Sequence, residues 1–231
     1  MKVEELKSKV FIFLGPFGTG KTELSMNFSM VRKRMGGEVA LADIDIISPY
    51  FRIRDFVGIL EEEGIKVILP PLHLLHADLP IITATVGGYI ENEKYEVILD
   101  VGGEDDGVAV LGYLKRFLDE VDYTSFMVIN TKRPLYRDPE SIVEMVERLS
   151  RKGRVRIDFL VNSTNLGGQT EIEDIREGEK ILSIVSERMK IPVGFSVVPD
   201  FVKDVKGLKY DVFRIRRFLG RIGGWAYENH S

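Results

Sequence analysis

The sequence predicts an α/β fold in three layers, with a doubly wound, mostly parallel sheet and helices on both faces. Short segments rich in Val, Ile and Phe alternate with longer helical segments along the chain, which is the order of repeated strand–helix–strand units. Most of the short segments are apolar on both faces, as strands are when helices cover both sides of a sheet. The predicted strands are 10–14, 38–44, 66–69, 96–101, 125–130, 157–162 and 193–198.

Helices are predicted between these strands from residues that prefer helix boundaries. The boundary residues are Gly36-Gly37 and Gly64 at helix ends, Asp138-Pro139 at an N-cap and first helical position, and Thr170 with Glu173 in a capping box. The predicted helices are 21–35, 53–63, 78–91, 105–119, one from 139 onwards, and one from the capping box to about 189.

The composition is ordinary for a globular protein and excludes cysteine chemistry. The 231 residues suit one domain, 1–231, and 44 % of them are hydrophobic. Because there is no cysteine, disulfides, thiolate nucleophiles, iron–sulfur clusters and cysteine zinc sites are excluded. The net charge of −4, with acidic and basic residues interspersed, argues against general nucleic-acid binding. No run is apolar enough to span a membrane and no signal-peptide core precedes the first strand, so we expect a cytoplasmic protein.

Eight residues after the first predicted strand match G-x-x-x-x-G-K-[ST], the Walker A or P-loop pattern. They are Gly15, Pro16, Phe17, Gly18, Thr19, Gly20, Lys21 and Thr22, and Glu23 follows in the predicted helix. In such a strand–turn–helix unit, backbone N–H groups and the helix N-terminus surround phosphate oxygens. Lys21 is predicted to reach the β- and γ-phosphates, and the Thr22 hydroxyl to bind Mg²⁺. The alternative is a glycine-rich turn that only caps a helix.

Carboxylates follow two further predicted strands. Asp100 ends one of them as a Walker B aspartate for Mg²⁺, and 100–103 match D-x-x-G, a switch segment in which the N–H of Gly103 would contact the γ-phosphate. Asp43 and Asp45 follow the second strand, where one of them could position the attacking water or bind the metal. The alternatives are a flexible glycine turn at 102–103, and turn chemistry before Ser48-Pro49.

These motifs together resemble the SIMIBI class of P-loop NTPases, which includes the ParA/MinD partition ATPases, the nitrogenase iron protein, the arsenite-pump ATPases and the cobyrinate-synthase relatives. The resemblance extends from Val10 to about Val205. The strings 45–52, 100–103 and 162–166 look like those of an uncharacterised bacterial ATP-binding family in that class. The resemblance implies a P-loop fold and a bound nucleotide but says little about purpose.

The resemblance assigns further residues by position. In the class, an asparagine at the end of a later strand contacts the adenine edge, and Asn162 stands there. A Pro-Asp pair that borders the base and ribose matches Pro199-Asp200. The aspartates that activate water or contact the metal correspond to Asp43 and Asp45. Pro16 stands where the ParA/MinD group has a second lysine that reaches across a dimer, so this cross-subunit catalysis does not carry over.

The expected base is adenine. GTP-binding relatives read guanine with N-K-x-D, whereas the equivalent 162–165 read Asn-Ser-Thr-Asn and lack both the lysine and the acid. Residues 130–133, Asn-Thr-Lys-Arg, are superficially similar, but they follow the preceding strand and end in arginine. We therefore expect ATP or ADP with Mg²⁺.

The remaining candidates have structural interpretations beside the functional ones. His73 and His76, close to Asp78, could bind a metal, but local packing is favoured because no further ligands are nearby. Arg52 and Arg54 could contact phosphate or a partner, or could simply begin a helix in solvent. Tyr50 and Phe51 could form a recognition surface or anchor a loop. Trp225 and Tyr227 are expected to pack the C-terminal tail against the domain. The arginines at 214, 216 and 217 are interpreted as a solvated helix face.

The favoured hypothesis is a Mg·ATP-dependent ATPase that acts as a slow molecular switch. Lys21 stabilises charge, Thr22, Asp45 and Asp100 bind the metal, and Asp43 or Asp45 positions water. A small-molecule kinase or ligase with an acceptor pocket at 50–54, and a nucleotide-binding regulator that does not hydrolyse, stay open. A homodimer and an unidentified protein partner are also open.

Overall fold

Eight strands form one sheet, as the alternating pattern predicts. The structure is a computed structural model that describes residues 1–45, 53–69, 79–103 and 105–218, with the backbone alone for 79–82. The strands are β1 (Val10–Leu14), β2 (Glu38–Asp43), β3 (Lys66–Ile68), β4 (Tyr95–Asp100), β5 (Tyr123–Ile129), β6 (Phe159–Asn162), β7 (Val193–Pro199) and β8 (Val212–Ile215). They lie in the order β3-β2-β4-β1-β5-β6-β7-β8, and each neighbouring pair is parallel.

The direction of winding reverses at β1. From β1 the chain passes to β2 and β3 at one edge, returns with β4 beside β1, and then builds β5 to β8 on the other side. In open α/β sheets such a reversal leaves a crevice at the carboxyl ends of the strands, where ligands bind. The loop after β1 lies at this reversal, so the fold places the Walker A residues where a ligand crevice is expected.

Helices cover both faces of the sheet, which confirms the predicted three layers. They are α1 (Lys21–Arg34), α2 (Val57–Glu62), α3 (Leu79–Glu91), α4 (Asp105–Leu118), α5 (Pro139–Gly153) and α6 (Ile172–Met189). One core contains buried residues of α1 and α2, such as Phe28 and Leu60. The other contains buried residues of α3, α4, α5 and α6, such as Val86 and Leu182.

A cluster of phenylalanines fixes β1 against α1 and β5. The rings of Phe11 and Phe28 are 4.9 Å apart, those of Phe13 and Phe28 5.1 Å, and those of Phe13 and Phe126 5.0 Å. Such aromatic pairs contribute about 1 kcal/mol each beyond the burial of their area. Because the Walker A loop joins β1 to α1, this packing holds both ends of that loop in place.

The interpretation of the C-terminal arginines as a solvated helix face is wrong. Residues 212–215 form the edge strand β8, in which buried and exposed side chains alternate. Phe213 and Ile215 are buried in the same core as α1, and Arg214 donates to the carbonyl oxygens of Val202 (2.9 Å) and Lys203 (3.0 Å). Four residues give too short an alternation to distinguish a strand from a helix in the sequence.

The cap of α6 also differs from the prediction, by one residue. The Thr170 hydroxyl donates to the carbonyl oxygen of Gly167 (2.7 Å) and so closes the preceding turn instead of starting the helix. The backbone N–H of Glu171 donates to Asp174 (2.9 Å), and α6 begins at Ile172.

The predicted helix 53–63 is divided into a 3₁₀ turn, Ile53–Phe56, and the short helix α2. None of the described helices combines the length and the apolar character that crossing a membrane requires.

Candidate functional site

The Walker A loop places Lys21 and Thr22 in the first turn of α1. The backbone of Gly20, which precedes the helix, is in the left-handed region (φ 87°). Lys21 is buried, and its Nζ donates to the carbonyl oxygen of Pro16 (3.0 Å) at the start of the same loop. The Thr19 hydroxyl donates to that oxygen as well (2.9 Å). The loop therefore curls over its own lysine, which is the arrangement from which a P-loop lysine can reach a phosphate.

Thr22 is joined to the Walker B aspartate by a direct hydrogen bond. The Thr22 hydroxyl donates to Asp100 Oδ2 over 2.7 Å. Asp100 ends β4, which pairs with β1 on one side and with β2 on the other. Residues separated by 78 positions in the sequence thus meet at the carboxyl end of the sheet, as the motif reading predicts.

Two further carboxylates lie beside Asp100. Asp43 is its direct neighbour in the β2–β4 register and is buried. Its Oδ1 accepts a hydrogen bond from the backbone N–H of Asp45 (3.1 Å). Asp45 is half-buried, and its Oδ1 would be 3.0 Å from a Cβ placed on Gly102. The segment after Asp100 therefore passes close to the Asp45 carboxylate.

The surroundings of the Asp100 carboxyl disfavour its charged form. Its pKa is raised from 3.8 to about 7. Burial is the largest cause, Lys21 and the hydrogen bond from Thr22 act in the opposite direction, and the charge of Asp45 adds to the rise. Asp100 Oδ1 is buried without a hydrogen-bond partner among the described residues. An ionised carboxylate held in this way is destabilising unless a cation or a hydrogen-bond donor compensates it.

These oxygen atoms fit a magnesium ion that binds together with phosphates. Mg²⁺ prefers oxygen ligands, and protein sites usually supply one or two carboxylates while substrate phosphates and water supply the rest. Thr22 and Asp100 are the residues that would hold it, and Asp45, the third predicted ligand, is close enough to Asp100 to affect its charge. No group of three or more His, Asp or Glu residues in the described part of the chain forms a metal site by itself.

Gly103 lies directly against the Walker A loop. A Cβ on Gly103 would be 2.5 Å from the backbone nitrogen of Phe17 and 2.8 Å from the carbonyl carbon of Pro16. Only a glycine permits the segment after β4 to approach the loop this closely. The backbone of Gly103 is therefore beside the first half of the loop, where the D-x-x-G pattern predicts it.

A cleft of about 530 Å³ opens beside the loop at the carboxyl ends of the strands. Eight predicted site residues line it: Phe17, Gly18, Gly20, Lys21, Thr22, Glu23, Asp45 and Pro199. Eight others do not line it: Gly15, Pro16, Thr19, Asp43, Asp100, Gly103, Asn162 and Asp200. We call the side with Gly18 and Lys21 the phosphate end, and the side with Ser163, Asn165 and Pro199 the base end.

Asn162 lies behind the cleft wall. It is fully buried, and its Nδ2 donates to the carbonyl oxygen of Ile175 (2.9 Å) and to Ser196 Oγ (3.1 Å). Its Oδ1 accepts from the backbone N–H of Thr164 (3.3 Å). These bonds join β6 to β7 and α6.

Ser163 and Asn165, which follow Asn162, line the cleft itself. Asn165 Nδ2 donates to the carbonyl oxygen of Ser163 (2.8 Å), and Asn165 Oδ1 accepts from the backbone N–H of Gly167 (3.2 Å). A Cβ on Gly20 would be 3.2 Å from Ser163 Oγ. This loop is therefore in contact with the second half of the Walker A loop.

The segment after β8 is bound to α1 and forms another wall. Glu23 Oε1 accepts from the backbone N–H of Phe218 (2.8 Å), and Asn27 accepts from the backbone N–H of Arg216 (2.8 Å) and donates to its carbonyl oxygen (3.0 Å). These bonds bring Ile215 and Arg217 to the cleft. Asp200 is exposed after β7, and its backbone N–H donates to Ile215 (2.9 Å).

Eleven of the described residues that line the cleft were not identified from the sequence as site residues, and Lys132, Arg133, Asn165 and Arg217 are among them. The N-T-K-R string of 130–133, which is only superficially similar to a guanine motif, supplies Lys132 and Arg133. Arg217 belongs to the basic segment interpreted as a solvated helix face, because the sequence did not predict β8. Several earlier candidates lie outside the described residues: Tyr50, Phe51, Arg52, His73, His76, Asp78, Trp225 and Tyr227. Arg54 is half-buried in the 3₁₀ turn after the gap.

The chain has the three-layer α/β fold of P-loop NTPases, and solved structures share this fold. FtsY from Thermotoga maritima matches with a TM-score of 0.56 and 18 % identity, over 82 % of this chain and 61 % of that one. FtsY from Elizabethkingia anophelis, in complex with GDP, matches with a TM-score of 0.56 and 17 % identity, over 84 % of this chain and 58 % of that one. FlhF complexed with GTP and Mg²⁺ matches with a TM-score of 0.56 and 17 % identity, over 83 % of this chain and 66 % of that one.

The chain therefore spans about three fifths of the length of these structures, and identities this low establish the fold alone. The sequence matches no protein-family model, and no curated protein is similar to it in sequence.

Proposed function

We propose that this protein binds a Mg²⁺–nucleoside triphosphate in the cleft and hydrolyses the terminal phosphate slowly, as a molecular switch. The observation that carries the proposal is the pairing of Thr22 with Asp100 over 2.7 Å, beside a buried Walker A lysine. A buried carboxylate oxygen without a partner is an unfavourable feature for a fold, and a bound cation would compensate it.

Each residue has a separate role in this proposal. The amides of 15–20 bind phosphate oxygens, and Lys21 exchanges the Pro16 carbonyl oxygen for the β- and γ-phosphates. Thr22 and Asp100 hold the metal, which neutralises phosphate charge when it is bound. Asp45 lines the cleft and positions the attacking water, whereas Asp43 holds the backbone of Asp45. The amide of Gly103 contacts the terminal phosphate.

We propose ATP as the nucleotide. Guanine presents two adjacent donors, N1–H and the 2-amino group, and is matched by a carboxylate that accepts both. Asn165 stands where the N-K-x-D motif has the aspartate that binds guanine. Its amide offers one donor and one acceptor, which match the donor and the acceptor on the edge of adenine. Asn130, Ser163 and Asn165 give the base end neutral side chains.

GTP is the second candidate, because the similar structures include complexes with GDP and with GTP and Mg²⁺. Their identities are below 20 %, so they show the fold alone, and the neutral side chains at the base end are what supports ATP. The likeness to the ParA/MinD group, a homodimer and a protein partner remain predictions.

The test is nucleotide binding by calorimetry with wild-type protein and Lys21→Ala, using ATP, GTP and their diphosphates in Mg²⁺. We expect Lys21→Ala to weaken triphosphate binding by at least about 100-fold, since it removes a charge-assisted contact from a buried site. Lys180→Ala is the matched control, because Lys180 is exposed on α6 and does not line the cleft.

The outcomes separate the alternatives. Micromolar binding that survives Lys21→Ala would contradict the proposed site. Tighter binding of GTP than ATP would replace ATP by the second candidate. Phosphate release measured in parallel shows whether hydrolysis accompanies binding, and turnover that needs an added metabolite would favour a kinase or ligase.

A further inference from the structure

Arg133 contacts the Walker A loop from the opposite wall of the cleft. It follows β5 and lines the cleft together with Lys21 and Gly18. Its Nε and Nη2 both donate to the carbonyl oxygen of Gly18, over 2.9 and 2.7 Å. The two residues are 115 positions apart in the sequence, so only the fold brings this guanidinium to the phosphate end.

Gly18 leaves room for this arginine. The Walker A pattern leaves that position open, since it requires glycine only at 15 and 20. A Cβ on Gly18 would be 2.6 Å from Arg133 Nη2 and 2.7 Å from its Cζ, and the residue has a φ of +74°. The absence of a side chain therefore lets the guanidinium lie directly against the loop.

Among the described residues, no carboxylate is paired with the positive charge of Arg133. Four cationic residues line the cleft: Lys21, Lys132, Arg133 and Arg217. Lys132 is paired with the carboxylates of Asp174 (2.9 Å) and Glu177 (2.7 Å). In the described part of the chain, Arg133 bonds through its side chain only to a neutral carbonyl oxygen. Arginine binds phosphate oxygens more strongly than carbonyl oxygens, because both partners are then charged and the guanidinium fits a phosphate bidentately.

The backbone that carries Arg133 is fixed, while its side chain is exposed. Asn130 Oδ1 accepts from the backbone N–H of Lys132 (3.0 Å), and Asn130 Nδ2 donates to the carbonyl oxygen of Asn165 (3.1 Å). The backbone N–H of Arg133 donates to the Asn130 carbonyl oxygen (3.2 Å). The guanidinium can therefore change partners by side-chain rotation alone.

The neighbours of the loop indicate which phosphate Arg133 faces. Gly103, the residue of the D-x-x-G segment, lies against Pro16 and Phe17. Ser163, at the base end, lies against Gly20. Gly18 is between these two contacts, so Arg133 is next to the part of the loop that adjoins the γ-phosphate segment.

We propose that Arg133 leaves the Gly18 carbonyl oxygen and binds the terminal phosphates of the bound nucleotide, as an arginine supplied by the same chain. This proposal rests on the proposed function. The oxygen of water bonds to the γ-phosphorus, the bond to the β–γ bridging oxygen breaks, and its electron pair stays on the diphosphate. The proton lost by the water goes to an oxygen of the released phosphate. Arg133 donates hydrogen bonds to the oxygens that gain charge and transfers no proton.

The experiment compares Arg133→Met, which keeps the length and removes the charge, with Arg133→Lys and the control Arg137→Met. Arg137 is exposed and does not line the cleft. Single-turnover phosphate release and the affinities for ADP and a non-hydrolysable ATP analogue are measured in Mg²⁺. We expect Arg133→Met to slow release at least about 1,000-fold, the low end of the effect of a catalytic arginine. We also expect it to weaken the ATP analogue at least about tenfold more than ADP, and Arg133→Lys to recover part of both effects.

Other results overturn the proposal. If Arg133→Met kept a release rate and an analogue affinity within about threefold of wild type, Arg133 would only stabilise the loop. Equal losses of ADP and analogue affinity would show that it acts through the loop and not on the terminal phosphate. If the wild type bound no nucleotide, the proposed function would fail as well, which is a distinguishable outcome. If the wild type binds without hydrolysis, the affinity ratio alone decides.

Discussion

At the phosphate end, one carboxylate oxygen of Asp100 is buried and has no hydrogen-bond partner among the described residues. Behind the base end, by contrast, Asn162 forms hydrogen bonds through both its amide nitrogen and its amide oxygen. The two ends of one cleft therefore differ in how their polar groups are satisfied. At the phosphate end, Asp100, Asp45 and Lys21 bring charges together under partial burial. At the base end, Ser163 and Asn165 are neutral and bond to their own loop.

This difference indicates where ligand binding changes the stability of the protein most. A polar network that is already satisfied gains little when a ligand arrives, because each new bond replaces an existing one. A buried carboxylate that lacks a partner gains much from a cation, since the cation removes a penalty that the fold otherwise bears. We therefore expect changes at the phosphate end to have larger effects than changes at the base end.

The largest expected effect is on the pH dependence of stability. Because the pKa of Asp100 is raised from 3.8 to about 7, the folded protein holds a proton that the unfolded chain releases. Its free energy of unfolding should then fall as the pH rises from about 4 through 7, by a few kcal/mol. Asp100→Asn should remove this fall and stabilise the nucleotide-free protein at pH 8 by roughly 2 kcal/mol. Urea denaturation of both proteins at pH 5 and 8 in EDTA measures the free energy of unfolding.

The matched control is Asp106→Asn, because Asp106 is exposed in the first turn of α4. A pH dependence in Asp100→Asn equal to that of the wild type would show that the penalty at Asp100 is absent. The contrast between the two ends of the cleft would then lose its main support.

A smaller effect is expected at Gly103. The Cβ of Gly103→Ala would be 2.5 Å from the backbone nitrogen of Phe17, so the Walker A loop must shift. We expect ATP affinity to fall by about tenfold or more, and ADP affinity to fall less, since the segment adjoins the terminal phosphate. Gly112→Ala in α4, where a Cβ meets no atom within 4 Å, should bind as wild type does. Equal losses for ATP and ADP would contradict the role of Gly103.

The smallest effect is expected at the base end, from Asn165→Asp. The carboxylate can accept both donors of guanine but loses the bond that Asn165 donates to the Ser163 carbonyl oxygen. We expect the ratio of ATP to GTP affinity to shift toward GTP by about tenfold. Competition with a fluorescent nucleotide measures this ratio, and Asn92→Asp, exposed and outside the cleft, is the control. An unchanged ratio would mean that Asn165 does not read the base.

The sequence by itself determined the fold class, seven of the eight strands and the Walker A segment. Glycine spacing, a strand before it and a helix after it are local properties, so 15–22 could be recognised without tertiary information. The aspartates at 43, 45 and 100 were predicted as site residues from their places at strand ends, and the register pairs Asp43 with Asp100.

Only the tertiary structure decided the rest of the cleft. Asn162 faces α6 and β7, while Ser163 and Asn165 face the cleft, since the side that a residue takes at a strand end depends on how neighbouring elements pack over it. Arg133 reaches Gly18 across 115 residues, and Arg217 reaches the cleft because Glu23 and Asn27 bind the segment after β8. Long-range contacts between flexible side chains leave no periodic signal, so folding alone brings these charges to the site.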